Sequence, residues 1–292
     1  MRYLSPLRYP GGKALLAPAI SAIIADNGYS DAYYAEPFAG GAGAALDLLF
    51  SEKVWKILLN DADYHIYAFW QSILNETELF CKKIKTVPLT VAQWKKQKRI
   101  FDNYNDYSLF DVGFATFYLN RTNRSGILDG RPIGGLEQKG KWKIDARFNR
   151  KDLISRIVKI AYYKERIIIS NLEARLFLKY LNTLTKNIFV YLDPPYYKPG
   201  PELYLNFYTP YEHKLLAQYV QKYLRHPWII TYDNTKEITE LYKTQKSLAF
   251  ELAYSANSHK KGREIMIFCH ELENKIRSIN LSDRFTHKAH NR

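Results

Sequence analysis

Two adjacent prolines placed directly after an apolar run make LDPPYY (192–197) the segment with the clearest chemical meaning in this chain. The preceding NIFVY reads as a buried strand, and open α/β sheets carry their ligands outside the carboxyl ends of such strands. Pro194 and Pro195 restrict the backbone and remove two N–H donors. What remains is a cluster of acceptors, the Asp193 carboxylate and the Pro194 carbonyl. That pair suits an exocyclic amino group, which offers two N–H donors and a lone pair delocalised into its ring. Held by both acceptors, such a group keeps its lone pair aimed at an electrophile, and Tyr196 can stack on the ring. The implied chemistry is direct in-line transfer from a sulfonium methyl, governed by positioning and local electrostatics, and it requires no metal. The amino group of a paired base is out of reach inside a duplex, so the base would have to be flipped out. A strand-ending proline turn with a capping aspartate would explain the location of LDPPYY, but not its pairing with two glycine motifs.

The first of these, AEPFAGGAG (35–43), falls where a strand ends and a helix begins, and its glycines admit backbone conformations and ligand approach that a Cβ would block. It would floor a nucleotide-like ligand. Asp61 follows at the end of the next strand, where doubly wound folds place an acid that accepts from ribose hydroxyls. The competing reading of Asp61 is a helix N-cap. The second motif, RYPGGK (8–13), is no phosphate-binding P-loop. That loop needs Gly and Ser or Thr where this chain has Leu7 and Ala14.

The elements that must position these residues are those of a parallel sheet. A strand over 33–35, a helix over 42–50, a strand over 54–59 and a helix from Asp63 open the chain. RIIIS (166–170), NIFVYL (187–192) and WIITY (228–232) resume the strands, with helices over 172–182 and 211–224 between them. This alternation predicts an α/β fold, a Rossmann-like sheet with helices on both faces. SLAFEL and EIMIFC, joined by a Gly-containing link (255–263), predict a hairpin at the sheet edge. Between the halves the pattern changes to helices, with Thr90 as an N-cap and a helix over 109–119, and then to a Gly-rich basic loop. The division this gives is 1–65 and 166–273 for the two halves of a catalytic domain, 66–165 for a mostly helical insertion, and 274–292 for a basic tail.

A formal charge of +14 predicts attraction to a polyanion. It is concentrated in the insertion, where Lys or Arg at 121, 124, 131, 139, 141, 143, 147, 150 and 151 face acids only at 129, 137 and 145. No apolar run approaches the roughly eighteen residues of a membrane span, and the amino terminus lacks a secretory apolar core, so a cytoplasmic location is expected. Cys81 and Cys269 have no partner at CxxC spacing, which speaks against a disulfide framework or a zinc site.

The order GGK, EPFxGxG, insertion, DPPY resembles that of the Dam-like (D12 class, alpha group) DNA adenine-N6 methyltransferases over nearly the whole chain. The resemblance implies S-adenosylmethionine as cofactor and double-stranded DNA as substrate, with a cognate restriction enzyme or defence-system component as a further candidate partner. Carried over by position, it makes Asp193, Pro194, Pro195 and Tyr196 the catalytic set. Tyr9, Gly11, Gly12 and Lys13 would help enclose the cofactor, and Phe38 and Gly40, within Glu36, Pro37 and Gly43, would line its methionine side. Asp61 falls on the ribose, while Asn171 and Glu173 lie near the cofactor adenine. The insertion differs locally from the recognition hairpin of the branch that methylates GATC. Arg and Asn suit guanine and adenine edges and Lys suits phosphates. Asn123, Arg124 and Arg131 are therefore candidates for base or groove contacts and Lys139, Lys141 and Lys143 for phosphates, while Arg121 either joins them or braces the preceding helix. NFYTP (206–210) and TYDN (231–234) could line the flipped-base pocket, and His213 reads as structural. Cytosine N4 would use nearly the same acceptors, RNA would satisfy the charge, and a catalytically silent regulatory module is the alternative of a different class.

Overall fold

Short β-branched and aromatic runs pair into one sheet, and the helical stretches between them cover it. The computed structural model describes residues 4–8, 13–198, 208–253 and 261–272. Its strands are β1 (Tyr33–Glu36), β2 (Lys56–Asn60), β3 (Ile167–Ser170), β4 (Ile188–Leu192), β5 (Trp228–Asp233), β6 (Lys246–Ala253) and β7 (Lys261–Phe268). They lie in the order β3-β2-β1-β4-β5-β7-β6. β1 to β5 are parallel, and β7 is antiparallel to both its neighbours. From β1 the chain winds outward through β2 to β3, then restarts at β4 on the other side of β1. The connections therefore diverge between the tips of β1 and β4 and leave a crevice there. Burial follows position: every residue of β4 is buried, as expected for a central parallel strand, whereas Ile168 on the edge strand β3 is 43% exposed.

The expected hairpin is present at the sheet edge, with its later strand turned inward. β7, not β6, pairs with β5, and this sets Glu264 opposite Asp233. Helix α1 (Ala17–Asp26), preceded by a 3-10 turn over Lys13–Leu16, was absent from the expected element list. Its Pro18 lies in the first turn, where a missing N–H costs nothing, and Ile20, Ile23 and Ile24 bury one face.

α2 (Gly43–Phe50) follows β1, and α3 (Tyr64–Asn75) follows β2. The segment between β2 and β3 then continues with α4 (Thr77–Thr86), α5 (Val91–Asp102), α6 (Leu109–Thr122) and α7 (Arg150–Tyr162), and has no strand among its described residues. Thr90 caps α5 as expected, accepting the Gln93 amide. α6 is buried from Val112 to Thr122, and it lies so close to α3 that a Cβ on Gly113 would meet the Ala68 carbonyl oxygen at 2.4 Å. The expected boundary at residue 66 falls inside α3. In the second half α8 (Ala174–Leu181), α9 (Pro210–Lys222) and α10 (Lys236–Leu241) complete the helices.

Candidate active site

The glycine turn after β1 is held from three directions. Gly40 N–H donates to Asp61 (2.8 Å), its carbonyl accepts from the Trp70 indole (2.9 Å), and the Ala39 amide donates to the Asn60 carbonyl (2.9 Å). Gly40 (φ 46°) and Ala42 (φ 48°) are both left-handed, a conformation that costs a non-glycine residue roughly 1 to 2 kcal/mol. Gly43 opens α2 and faces inward, where a Cβ would press on that of Ala14 at 3.0 Å. Glu36 is buried beneath the turn and accepts from Tyr34 (3.0 Å) and from the Ala45 amide (3.1 Å). Burial, reinforced by the charge of Asp193, pushes its carboxyl up to about 8.

Asp61 is not the helix cap, because Asp63 fills that place on α3 and accepts the His65 amide. Instead the Asp61 carboxylate accepts from Gly40 and from the Asp63 amide (3.0 Å) at the tip of β2, and burial pushes it up to about 7. Asn60, which sequence reasoning passed over, is wholly buried and joins three strand tips. It donates to the Pro37 and Leu172 carbonyls (3.0 and 2.9 Å) and accepts from Ser170 and the Leu172 amide (2.9 Å each). Asn171 donates to the Asp61 carbonyl (2.7 Å), and Glu173 caps α8 through the Arg175 and Leu176 amides. Phe38 meets Tyr208 edge to face at 5.7 Å.

Across the crevice, Asp193 leaves the end of β4 with its side chain a quarter exposed. Its Oδ1 accepts from Thr231 (3.0 Å) and lies 3.3 Å from the Lys13 ammonium. Burial raises the Asp193 carboxyl, and Lys13 and Thr231 oppose that rise. Pro194 is buried, and its carbonyl accepts no hydrogen bond from the described residues. Lys13 also donates to the Tyr196 hydroxyl (2.7 Å), which in turn donates to Glu264 (2.5 Å). Lys13 is 3.4 Å from the same Glu264 oxygen. Asp233 secures the rest of the turn, accepting the Tyr197 and Lys198 amides at 2.8 and 3.0 Å.

Tyr9, Gly11 and Gly12 lie outside the described residues, as do Asn206 and Phe207 of NFYTP. TYDN supplies two supports of the proline turn, Thr231 and Asp233. His213 is buried against Tyr197, Tyr208 and Tyr232 with Nδ1 3.0 Å from the Tyr232 hydroxyl. Burial pushes it down to about 4, so it is neutral at pH 7.

The basic loop divides sharply. Asn123 is a correction: it is 0% exposed, accepts from the Trp94 indole (2.7 Å) and donates to the Ile127 and Leu128 carbonyls, so its amide is spent inside the fold. Arg121 is also buried, with Nε donating to the Arg147 carbonyl (2.8 Å), which is the bracing alternative. Arg124, Arg131, Lys139, Lys141 and Lys143 are exposed on one stretch, where Lys139 pairs with Glu137 and Lys143 donates to the Gln138 carbonyl.

The family model for the D12 class of N6 adenine-specific DNA methyltransferases matches residues 9–256. This chain belongs to that family. The enzyme's sheet and its three motif segments all fall within the matched span or continue from it. Among solved structures it is similar to the rRNA methyltransferase AviRa from Streptomyces viridochromogenes, at 12% identity, over 89% of this chain and 86% of that one, with a TM-score of 0.34. No curated protein matches it. No helix among the described residues is long and apolar enough to cross a membrane, and none of their side chains cluster as metal ligands.

Proposed function

We propose that the enzyme takes adenine flipped out of duplex DNA and holds its N6 amino group between the Asp193 carboxylate and the Pro194 carbonyl. The observation that carries this reading is the arrangement of acceptors at the end of β4. Asp193 is oriented by Thr231 and Lys13, and the Pro194 carbonyl beside it takes no hydrogen bond from the described residues. Tyr196 offers a ring whose hydroxyl is anchored at both ends, so the ring is held still for stacking.

The crevice fits S-adenosylmethionine. Its floor has left-handed Gly40 and Ala42, its β2 side carries the Asp61 carboxylate, and its far side holds a buried Glu264 oxygen with no hydrogen-bond partner among the described residues. Glu36, Pro37, Phe38, Gly40, Gly43 and Asp61 would hold it from the β1 and β2 side, with Lys13 and Asp193 opposite and Asn171 near the adenine. Bound there, the cofactor supplies a methyl group made electrophilic by a sulfonium. The protein's part is to fix the acceptor, exclude water and keep Asp193 ionised.

The exposed Arg124, Arg131, Lys139, Lys141 and Lys143 face the duplex, and the segment 66–165 selects the site. The test is to incubate the protein with S-adenosylmethionine and unmethylated mixed-sequence duplex, digest to nucleosides and quantify methylated bases by mass. N6-methyladenine with the intact protein and none with Asp193→Ala is expected. N4-methylcytosine would move the target base, and no product despite cofactor and DNA binding would refute the proposal.

A further inference from the structure

Glu264 reaches the site from β7, while Lys13 comes from a turn 251 residues earlier. It is 1% exposed. One of its oxygens accepts from Tyr196 and lies near Lys13, and the other is buried with no hydrogen-bond partner among the described residues. A buried carboxylate left half unsatisfied is costly, and such a cost is retained where the charge has a use.

The charges around it do not balance. The Lys13 ammonium lies between two carboxylates, 3.3 Å from Asp193 and 3.4 Å from Glu264, so these two acids can be no farther apart than its two contacts allow. From β1, the buried Glu36 is a further acid close enough to interact electrostatically with Asp193. Tyr196 and Thr231, also in contact with these acids, are neutral donors. With Lys13, Asp193 and Glu264 charged, these three described groups together carry one net negative charge.

On the reading proposed above, the ligand that enters this cluster changes charge during turnover. The bond from N6 to the methyl carbon forms, the sulfur-carbon bond breaks with its electron pair staying on sulfur, and N6 releases one proton that passes to solvent. A cationic sulfonium thus becomes a neutral thioether while the protein's own charges are unchanged. The net negative cluster is balanced before transfer and unbalanced after it.

We propose that Glu264 is the counter-charge that makes this pocket prefer the cationic methyl donor over its neutral product. By neutralising Lys13, it leaves the charge of Asp193 free to face the ligand. Its role is electrostatic and positioning; it need not touch substrate.

Three ligands of one shape separate this from a merely structural role. S-adenosylmethionine and sinefungin, which has an amine in place of the methylsulfonium, are cationic there, and S-adenosylhomocysteine is neutral. Calorimetric titration of Glu264→Gln should show both cationic ligands weakened by about tenfold and the neutral one within about twofold, as befits one charge acting over several ångströms in a partly screened site. Glu264→Asp, which keeps the charge on a shorter arm, should retain the wild-type ratio of S-adenosylmethionine to S-adenosylhomocysteine affinity. An equal loss for all three ligands, or an unchanged ratio in folded Glu264→Gln, would overturn the proposal. If Glu264→Gln fails to fold, the wild-type ratio measured against falling pH decides: it should drop as the carboxylates protonate, and a flat ratio refutes. A wild-type protein that binds none of the three would instead refute the cofactor reading on which this inference rests.

Discussion

Replacing Thr231 by valine removes one hydroxyl and almost no volume, and the structure says which bonds go with it. Thr231 is wholly buried, and its single O–H donates to Asp193 at 3.0 Å. The Tyr191 hydroxyl, 2.9 Å away, must therefore be the donor to Thr231, which makes a directed chain from Tyr191 through Thr231 to Asp193. Thr231→Val strips a donor from the carboxylate, worth roughly 1.5 to 3 kcal/mol, and strands the buried Tyr191 hydroxyl at about 1 to 3 kcal/mol. The second cost should appear as lost stability in urea. The first should lower the single-turnover rate of methyl transfer to duplex DNA by about ten- to a hundredfold, since each 1.36 kcal/mol is roughly tenfold. It also has a signature in pH. Burial raises the Asp193 carboxyl and the Thr231 bond holds it down, so losing that bond raises it further. On the proposed mechanism transfer requires the ionised form, so the acid limb of the rate profile should move to higher pH. Tyr191→Phe, which keeps the Thr231 bond to Asp193, should leave the limb in place. A folded Thr231→Val with the wild-type rate and limb would refute the assignment of Asp193 as the oriented acceptor.

Asn60→Ala removes four bonds from a wholly buried side chain and should cost about 3 to 5 kcal/mol in chemical denaturation, together with weaker cofactor binding as the three strand tips loosen. Asn123→Ala should lower the melting temperature without altering the methylated sequence, whereas Arg124→Ala should alter the sequence profile and Lys141→Ala should weaken DNA binding with a shallower salt dependence. Glu36→Gln tests the buried acid at β1. The Glu36 carboxyl rises from 4.5 to about 8, so its favourable, protonated contribution is complete below about pH 4.5 and is lost as pH climbs through about 8. The stability of Glu36→Gln relative to wild type should therefore grow over that window, to roughly 5 kcal/mol at most, and a constant difference would show that Glu36 is not buried as an acid.

Much of this site could be read from the chain in advance because its parts are local. A strand followed by DPPY, and a strand followed by a glycine turn, each lie within a dozen residues, and the alternation of β-branched runs with helical ones announces a parallel sheet with both at its carboxyl edge. Charge could be counted but not placed. Asn123 and Arg124 are neighbours in the basic loop, yet one is sealed against Trp94 and the other is exposed, because α6 ends at Thr122, just before them, and the chain turns. The contacts of Thr231 and Asp233 to the proline turn were not legible, since their alternation on β5 says which face they share and not what stands opposite.

The sequence by itself therefore determined the fold class, the positions of the proline and glycine turns and the chemistry their residue types allow. Tertiary structure alone decided the partners of the charged groups. Glu264 meets Lys13 and Tyr196 because β7 inserts between β5 and β6, and Asn60 joins three strand tips because β1, β2 and β3 end in register. The physical reason is that periodicity fixes the face a side chain takes within its own element, whereas hydrogen bonds and ion pairs depend on distances of a few ångströms between elements far apart in the chain.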